Sequence, residues 1–408
     1  MTAVAVPLRR GIDPALVVVL AGVSAALHVG KLPPALPVLR EALGVTLLQA
    51  GFLLSLVQLA GMTLGLAVGL VADGLGLRRS MLAGLAVLAV ASGVGGWARD
   101  PSDLLLLRAL EGFGFLLVSL PAPSLIRQLV APARMSAMLG IWGAYMPFGA
   151  AVALLCGPMV MAVVGWQGWW WGLAMLSAAM AALLGWAVAP DRTRRVPAHR
   201  QAPTRAAAEG WPARLQLTLR SPGPWLVALT FAMYSGQWLA VIGFLPSIYA
   251  QAALAGPLVG VLTALAAAVN MVGNVGAGRL LQRGVRVQGL IHAGFVAMAV
   301  GAWLAFGLEN VAPAWLRYAG VLLFSMVGGL IPGTLFSLAV RLAPSERTVS
   351  TTVGWVQQWS SIGQFAGPPL VAWVASGVGG WHWTWAVTGG CSLLGMLLAA
   401  RMAQLPSR

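Results

Sequence analysis

The stretch LAGLAVLAVASGVGG, residues 82–96, carries no charge and no alternation of polar with apolar side chains. A strand of a membrane barrel alternates every second residue, apolar outward and polar inward. A run like this, extended by its neighbours to about 20 residues, instead suits an α-helix that crosses roughly 30 Å of hydrocarbon. Similar runs recur at about 14–38, 47–71, 79–98, 103–128, 136–163, 168–189, 223–247, 257–281, 287–307, 314–341, 350–376 and 382–402. They predict an all-α membrane protein of twelve transmembrane helices.

Composition agrees with this reading. Apolar residues make up 59% of the 408 and charged residues 9%, with a mean hydropathy of +0.85, too apolar for an ordinary water-facing surface. The first run follows Arg9 and Arg10. It is too long for a signal peptide and no small-residue cleavage site follows it, so the first helix is expected to stay. Cys156 and Cys391, the two cysteines, fall inside predicted spans, which argues against a disulfide framework or a thiolate metal site.

A net charge of +15 would suggest nucleic acid in a soluble protein; here its distribution points to the bilayer. With the N-terminus in the cytoplasm, 20 of the 25 basic residues fall at cytoplasmic ends or loops, among them Arg78, Arg79, Arg134, Arg279, Arg283, Arg286 and Arg347. That is the positive-inside distribution. Seven of the 20 lie in the polar segment 190–222, which reads as a flexible cytoplasmic linker. The tryptophan clusters GWQGWWW (165–171) and GWHWTW (380–385) fall at the opposite interface, where indoles settle at headgroup depth. An inner-membrane protein with both termini cytoplasmic is expected, with the lipid bilayer as its surroundings and no nucleic-acid partner.

An internal repeat groups the helices. Gly69 and Gly278 lie 209 residues apart, as do Arg108 and Arg317, and the Gly-Pro pairs at 157 and 367 lie 210 apart. Two pseudo-symmetric six-helix halves follow, 1–189 and 223–408, joined by the linker 190–222. Parallel halves of this kind enclose a midplane cavity in many secondary transporters.

Three segments carry a family resemblance. GLVADGLGLRR (69–79) resembles the major facilitator superfamily signature between helices two and three, with Gly69, Asp73, Gly76, Arg78 and Arg79 in matching positions. Its glycines permit a tight turn, and its carboxylate can pair with arginines or a helix N-terminus to latch the cytoplasmic side. The second copy, GRLLQRGVR (278–286), has Gln282 where the first has Asp73, so its latch is expected to be weaker. LLLLRALEGFG (104–114) is similar to the superfamily's fourth-helix signature at Arg108 and Gly112, which implies a cavity-lining arginine. The alternative is that Arg108 pairs with Glu111 one turn away and snorkels to the interface. CGPMV (156–160) matches part of the antiporter signature without its trailing glycine pair. GFLPSIY (243–249) and LPAPSLIRQ (120–128) resemble the cyanate-permease-type branch. His28 and Lys31 replace that branch's Asn and Arg in helix one, so no substrate carries over.

Lys31, the chain's one lysine, lies about two-thirds along the first span, in HVGKLPPALP (28–37). An ammonium at that depth is costly unless it meets water, a counter-charge or a ligand. It is expected to face the cavity with His28, three residues earlier; the alternative is a snorkelling lysine. Glu111, the one carboxylate placed well inside a span, is the candidate proton carrier or a structural counter-ion. Further candidates for substrate binding are Tyr145, Tyr234 and Gln237, Asn270 and Asn274, and Gln357 with Ser361 and Gln364 on one stripe, with Trp238 and Trp355 as aromatic lining. Interhelical hydrogen bonding is the alternative for each polar set.

A secondary active transporter is therefore expected, a monomer that moves a small solute by alternating access, with protons as one candidate for the coupling ion. The excess of cations at Lys31, Arg108 and Arg317 favours an anionic solute. A proton-coupled exporter of drugs or metabolites and a non-transporting sensor or scaffold remain the alternatives. No catalytic triad, HExxH, phosphate loop or CxxC pair occurs in the sequence, so neither enzymatic activity, a cofactor nor a metal is expected.

Overall fold

The structure, a computed structural model, describes residues 13–65, 76–131, 134, 138, 141–191, 211–252, 257–309, 311–345 and 348–404. Among these residues there is no strand. Ten helices are long and apolar enough to cross a membrane. One of them, Tyr145–Ala187, contains a reversal at Gly165 (φ 70, ψ 175) and supplies two spans. The helix Val349–Val378 is not among the ten; Gln357, Gln358, Ser360, Ser361 and Gln364 dilute its apolar character. With the split helix and this one, the count reaches twelve.

In chain order the spans are α1 (Pro14–Leu43), α2 (Leu47–Gly65), α3 (Leu77–Gly95), α4 (Pro101–Leu129), α5 and α6 (the arms 145–164 and 166–187), α7 (Pro222–Gln251), α8 (Leu258–Gln282), α9 (Val287–Gly307), α10 (Ala314–Arg341), α11 (Val349–Val378) and α12 (Thr384–Met402). Their ends follow local chemistry. Asp13 accepts from Ala15 N ahead of Pro14, and Asp100 accepts from Ser102 N and Asp103 N ahead of Pro101. Thr46 and Gln49 form a reciprocal capping box for α2. Gly44 (φ 65) and Gly379 (φ 74) end α1 and α11 in the left-handed conformation. Of the linker expected at 190–222, residues 192–210 lie outside the described set; its described part includes the helix Trp211–Arg220.

The repeat is visible in the packing. In the first half α1 packs on α5 and α3 packs on α4 and α6; in the second, α7 packs on α11 and α9 on α10 and α12. Small residues let equivalent helix pairs approach closely: a Cβ on Gly84 would stand 2.6 Å from the Gly114 carbonyl, and one on Gly301 2.5 Å from the Gly320 carbonyl. The halves meet where α2 lies on α11, with Gly51 against Pro369 and Gly61 against Ser361, and where Gly260 of α8 approaches the Leu154 and Leu155 carbonyls of α5. Gln358 Nε2 donates to Met62 O across that boundary at 2.8 Å.

Candidate functional site

Lys31 stands at a break in α1. The helix Pro14–Gly30 ends there and Leu32–Leu43 begins, because Pro33 and Pro34 have no N–H to offer the Val29 and Gly30 carbonyls. The break turns the ammonium into the first half, where it is fully buried. Lys31 Nζ donates to Ser92 Oγ of α3 at 2.9 Å and to Glu111 Oε1 of α4, and lies 4.4 Å from the centre of the Trp170 ring of α6. Its backbone carbonyl accepts from Trp169 Nε1 at 3.2 Å.

Glu111 is shared. Its second oxygen accepts from Arg108 Nη1 at 2.5 Å, one turn away on α4. The same Nη1 donates to the His28 carbonyl at 2.7 Å, and Arg108 Nε donates to the Leu53 carbonyl of α2 at 3.2 Å. That reach depends on Gly112, where a Cβ would collide with the Val57 carbonyl. His28 Nε2 meets Ser177 Oγ of α6 at 2.7 Å, while its Nδ1 stands 3.6 Å from Glu111 Oε1 without a hydrogen bond. Arg108 Nη2 is buried without a partner.

These contacts bear on two expectations. Lys31 and His28 make their side-chain contacts with α3, α4 and α6 of the first half. Arg108 pairs with Glu111, as its alternative reading had it, but is 1% exposed and does not snorkel. With Lys31 and Arg108 charged and Glu111 ionised, the cluster carries a net +1, and its orphaned atoms, Arg108 Nη2 and His28 Nδ1, are both nitrogens.

The second half answers with neutral groups. At an offset of 209, His28 corresponds to Gln237; as His28 bonds Ser177 on the sixth span of its half, Gln237 Oε1 accepts from Ser392 Oγ on the sixth span of the second, at 3.1 Å, although those two serines are 215 residues apart. Gln237 thus ties α7 to α12 and does not share a lining with Tyr234. The positions of Ser92 and Glu111 correspond to Gly301 and Gly320, where bare backbones touch. Arg317, the counterpart of Arg108, lies near the start of α10, donates to the Ala305 carbonyl at 3.0 Å and pairs with Glu309 at 3.7 Å. It therefore adds nothing to a central charge.

Tyr234 and Asn270 do come together. Asn270 Nδ2 donates to Tyr234 Oη at 3.0 Å and to the Ser325 carbonyl at 2.8 Å, and Asn274 Nδ2 donates to Asn270 Oδ1 at 2.9 Å. Trp238 Nε1 donates to Ser325 Oγ at 3.1 Å. On α11, Ser361 Oγ reaches Gln58 Oε1 of α2 at 3.5 Å and Gln364 bonds Ser360, while Gln357 is half-buried. Trp355 packs edge-on against Trp225 and Trp359. Thr352 Oγ1, Trp355 Nε1, Gln358 Oε1 and Trp359 Nε1 form a row of buried, unpartnered polar atoms along the same helix. Tyr145 is removed from these groups, stacked on Trp142 with centroids 4.1 Å apart.

Of the loop motif, Gly69 and Asp73 lie outside the described residues. Gly76 (φ 96) turns the chain into α3, and among the described residues a carboxylate at that turn is Asp191, from just beyond α6. Asp191 Oδ1 and Oδ2 accept from Arg78 N and Arg79 N, both at 3.1 Å, and Arg78 Nη2 donates to the Gly185 carbonyl at 2.6 Å. An anion thus holds the α3 N-terminus, as the helix dipole favours. Sequence reading missed Asp191, Ser92 and Ser177, because a lone acid or hydroxyl carries no periodic signal.

The sequence model of the Major Facilitator Superfamily matches residues 15–361. Over 340 residues the chain is 26% identical to the cyanate transport protein CynX of Escherichia coli, covering 80% of each. It is 35% identical over 162 residues to the puromycin resistance protein pur8 of Streptomyces alboniger, covering 40% of this chain and 32% of that relative. Among solved structures, a bacterial homologue of the human lysosomal transporter Spinster, inward-facing and occupied, superposes with a TM-score of 0.78 at 14% identity, over 97% of this chain and 98% of that one.

Proposed function

The chain belongs to the major facilitator superfamily, and from that premise we propose a secondary active transporter that moves a small anionic solute by alternating access of its two halves, coupled to protons through Glu111. The observation that carries this reading is the buried cluster of Lys31, Arg108 and Glu111, with its net positive charge and unpartnered guanidinium nitrogen. Such a charge inside hydrocarbon calls for compensation. Arg108 holds the Leu53 carbonyl, and the adjacent Leu54 packs 3.0 Å from a Cβ built on Gly243 of α7, so the cluster is anchored to a turn that touches the second half.

A proton on Glu111 raises the cluster from +1 to +2 and weakens its hold on Arg108; an anion then returns the charge to +1. Proton and anion are thereby taken together, which is symport. Tyr234, Asn270 and the orphaned row on α11 offer neutral hydrogen-bonding groups from the other half. The similarity to a cyanate transport protein supports a small anion. The similarity to a puromycin resistance protein supports the second reading, a proton-coupled exporter. Purified protein in proteoliposomes separates them: with the outside made acidic, uptake of labelled cyanate should exceed the ungradiented rate at least severalfold. Flat cyanate uptake, together with puromycin driven against the proton gradient, would replace symport with export.

A further inference from the structure

At the far end of α8 the second copy of the loop motif turns at Gly284 (φ 82). Between this turn and the last turns of α10 lies a shallow cleft of about 410 Å³, whose lining includes Val285, Arg286, Ser337 and Arg341. Arg286 and Arg341 are exposed, and neither forms an ion pair with a described residue. Arg286 is the N-cap residue of α9, where the helix end offers only N–H donors and so no acceptor for its guanidinium. Along α10, Ser337 and Arg341 are one turn apart, and the neighbouring stripe, Phe336 and Val340, is 41% and 52% exposed. Two cationic forks therefore sit directly beside an open apolar strip on a helix that crosses the bilayer.

We propose that this cleft binds an anionic phospholipid, its phosphate held by Arg286 and Arg341 and an acyl chain laid along Phe336 and Val340. Guanidinium forks match phosphate oxygens in pairs. The exposed apolar strip has no use for a free anion but suits a ligand with a hydrocarbon tail. The cleft is too open to enclose a small solute, and among the described residues its lining holds no carboxylate that would attract a cation. The site is separate from the cluster around Glu111, and the inference does not rest on the transport reading.

The test is a lipid titration on the full chain in detergent, reading unfolding temperature and, by native mass spectrometry, retained lipid. Phosphatidylglycerol should raise the unfolding temperature above that in phosphatidylcholine. R286Q/R341Q should weaken the apparent phosphatidylglycerol affinity by about tenfold or more, from the roughly fivefold that each basic residue contributes near an anionic lipid. R286Q and R341Q, the milder single variants, should each lose severalfold, and R401Q, which removes an exposed arginine at the end of α12, should lose nothing. Millimolar inorganic phosphate should not reproduce the effect. An unchanged response in the single or double variants, an equal loss in R401Q, or full reproduction by phosphate would each overturn the proposal.

Discussion

Replacing Glu111 by Gln strands Lys31 and Arg108 beside each other in a buried site with no anion between them. Removing one partner of a buried ion pair costs about 3–5 kcal/mol, largely because the other charge is left uncompensated. Two cations are stranded here, so Glu111→Gln should fall at the upper end, about 5 kcal/mol. Lys31→Met is milder: Glu111 keeps Arg108 Nη1 at 2.5 Å, and Ser92 Oγ keeps its bond to the Trp170 carbonyl at 2.9 Å. Its cost should be about 3 kcal/mol or less. The double variant Lys31→Met/Glu111→Gln removes one of the stranded cations and should be more stable than Glu111→Gln alone, by about 1–3 kcal/mol of coupling. Equilibrium unfolding in mixed detergent micelles, followed by tryptophan fluorescence and circular dichroism, measures all four proteins. A double variant less stable than either single one, or Lys31→Met as damaging as Glu111→Gln, would refute the shared-carboxylate account.

Other consequences can be checked on the same purified material. Lys31→Met/Glu111→Gln should lose gradient-driven cyanate uptake while keeping a weakened exchange across the membrane, since Arg108 still supplies positive charge but no carboxylate carries the proton; full gradient-driven uptake would return Glu111 to a structural role. Asp191→Ala should cost about 0.5–2 kcal/mol as a lost cap on α3. Gly76→Ala should cost about 1–3 kcal/mol, because its φ is 96 and a Cβ would stand 2.5 Å from Asp191 Oδ2; melting temperatures unchanged from wild type in both would remove the Asp191 cap from the account. Asn270→Ala breaks the bonds to Tyr234 and the Ser325 carbonyl and should cost about 1–2 kcal/mol, read as a lowered melting temperature.

The helix count and the two-half plan were legible because membrane spans announce themselves in runs of about 20 apolar residues and because Arg108 and Arg317 preserve an offset. Lys31 was legible as an anomaly, but its partners were not. Ser92 and Glu111 are 61 and 80 residues away, and sequence spacing shows which residues share a helix face, not which neighbour that face meets. Tyr234 and Gln237 illustrate the limit. Residues three apart differ by about 60° around a helix, enough here for one to reach α8 and the other α12. Arg108 and Arg317 show a related one: equal spacing placed them at different depths, the first well inside its helix and the second near the start of its own.

Gly165 joins α5 to α6 with no intervening loop, and a Cβ on Gly168 would already stand 2.5 Å from Val164 across the turn. Such a connection has no slack. Whatever displaces α5 against α8 must carry α6 with it, and through Ser177 and Trp170 the groups around Lys31 as well. Under the proposed alternating access, the turn would act as a welded joint between the boundary of the halves and the buried charges. A short flexible insertion after Gly165 would cut that transmission while leaving every side chain of the cluster in place.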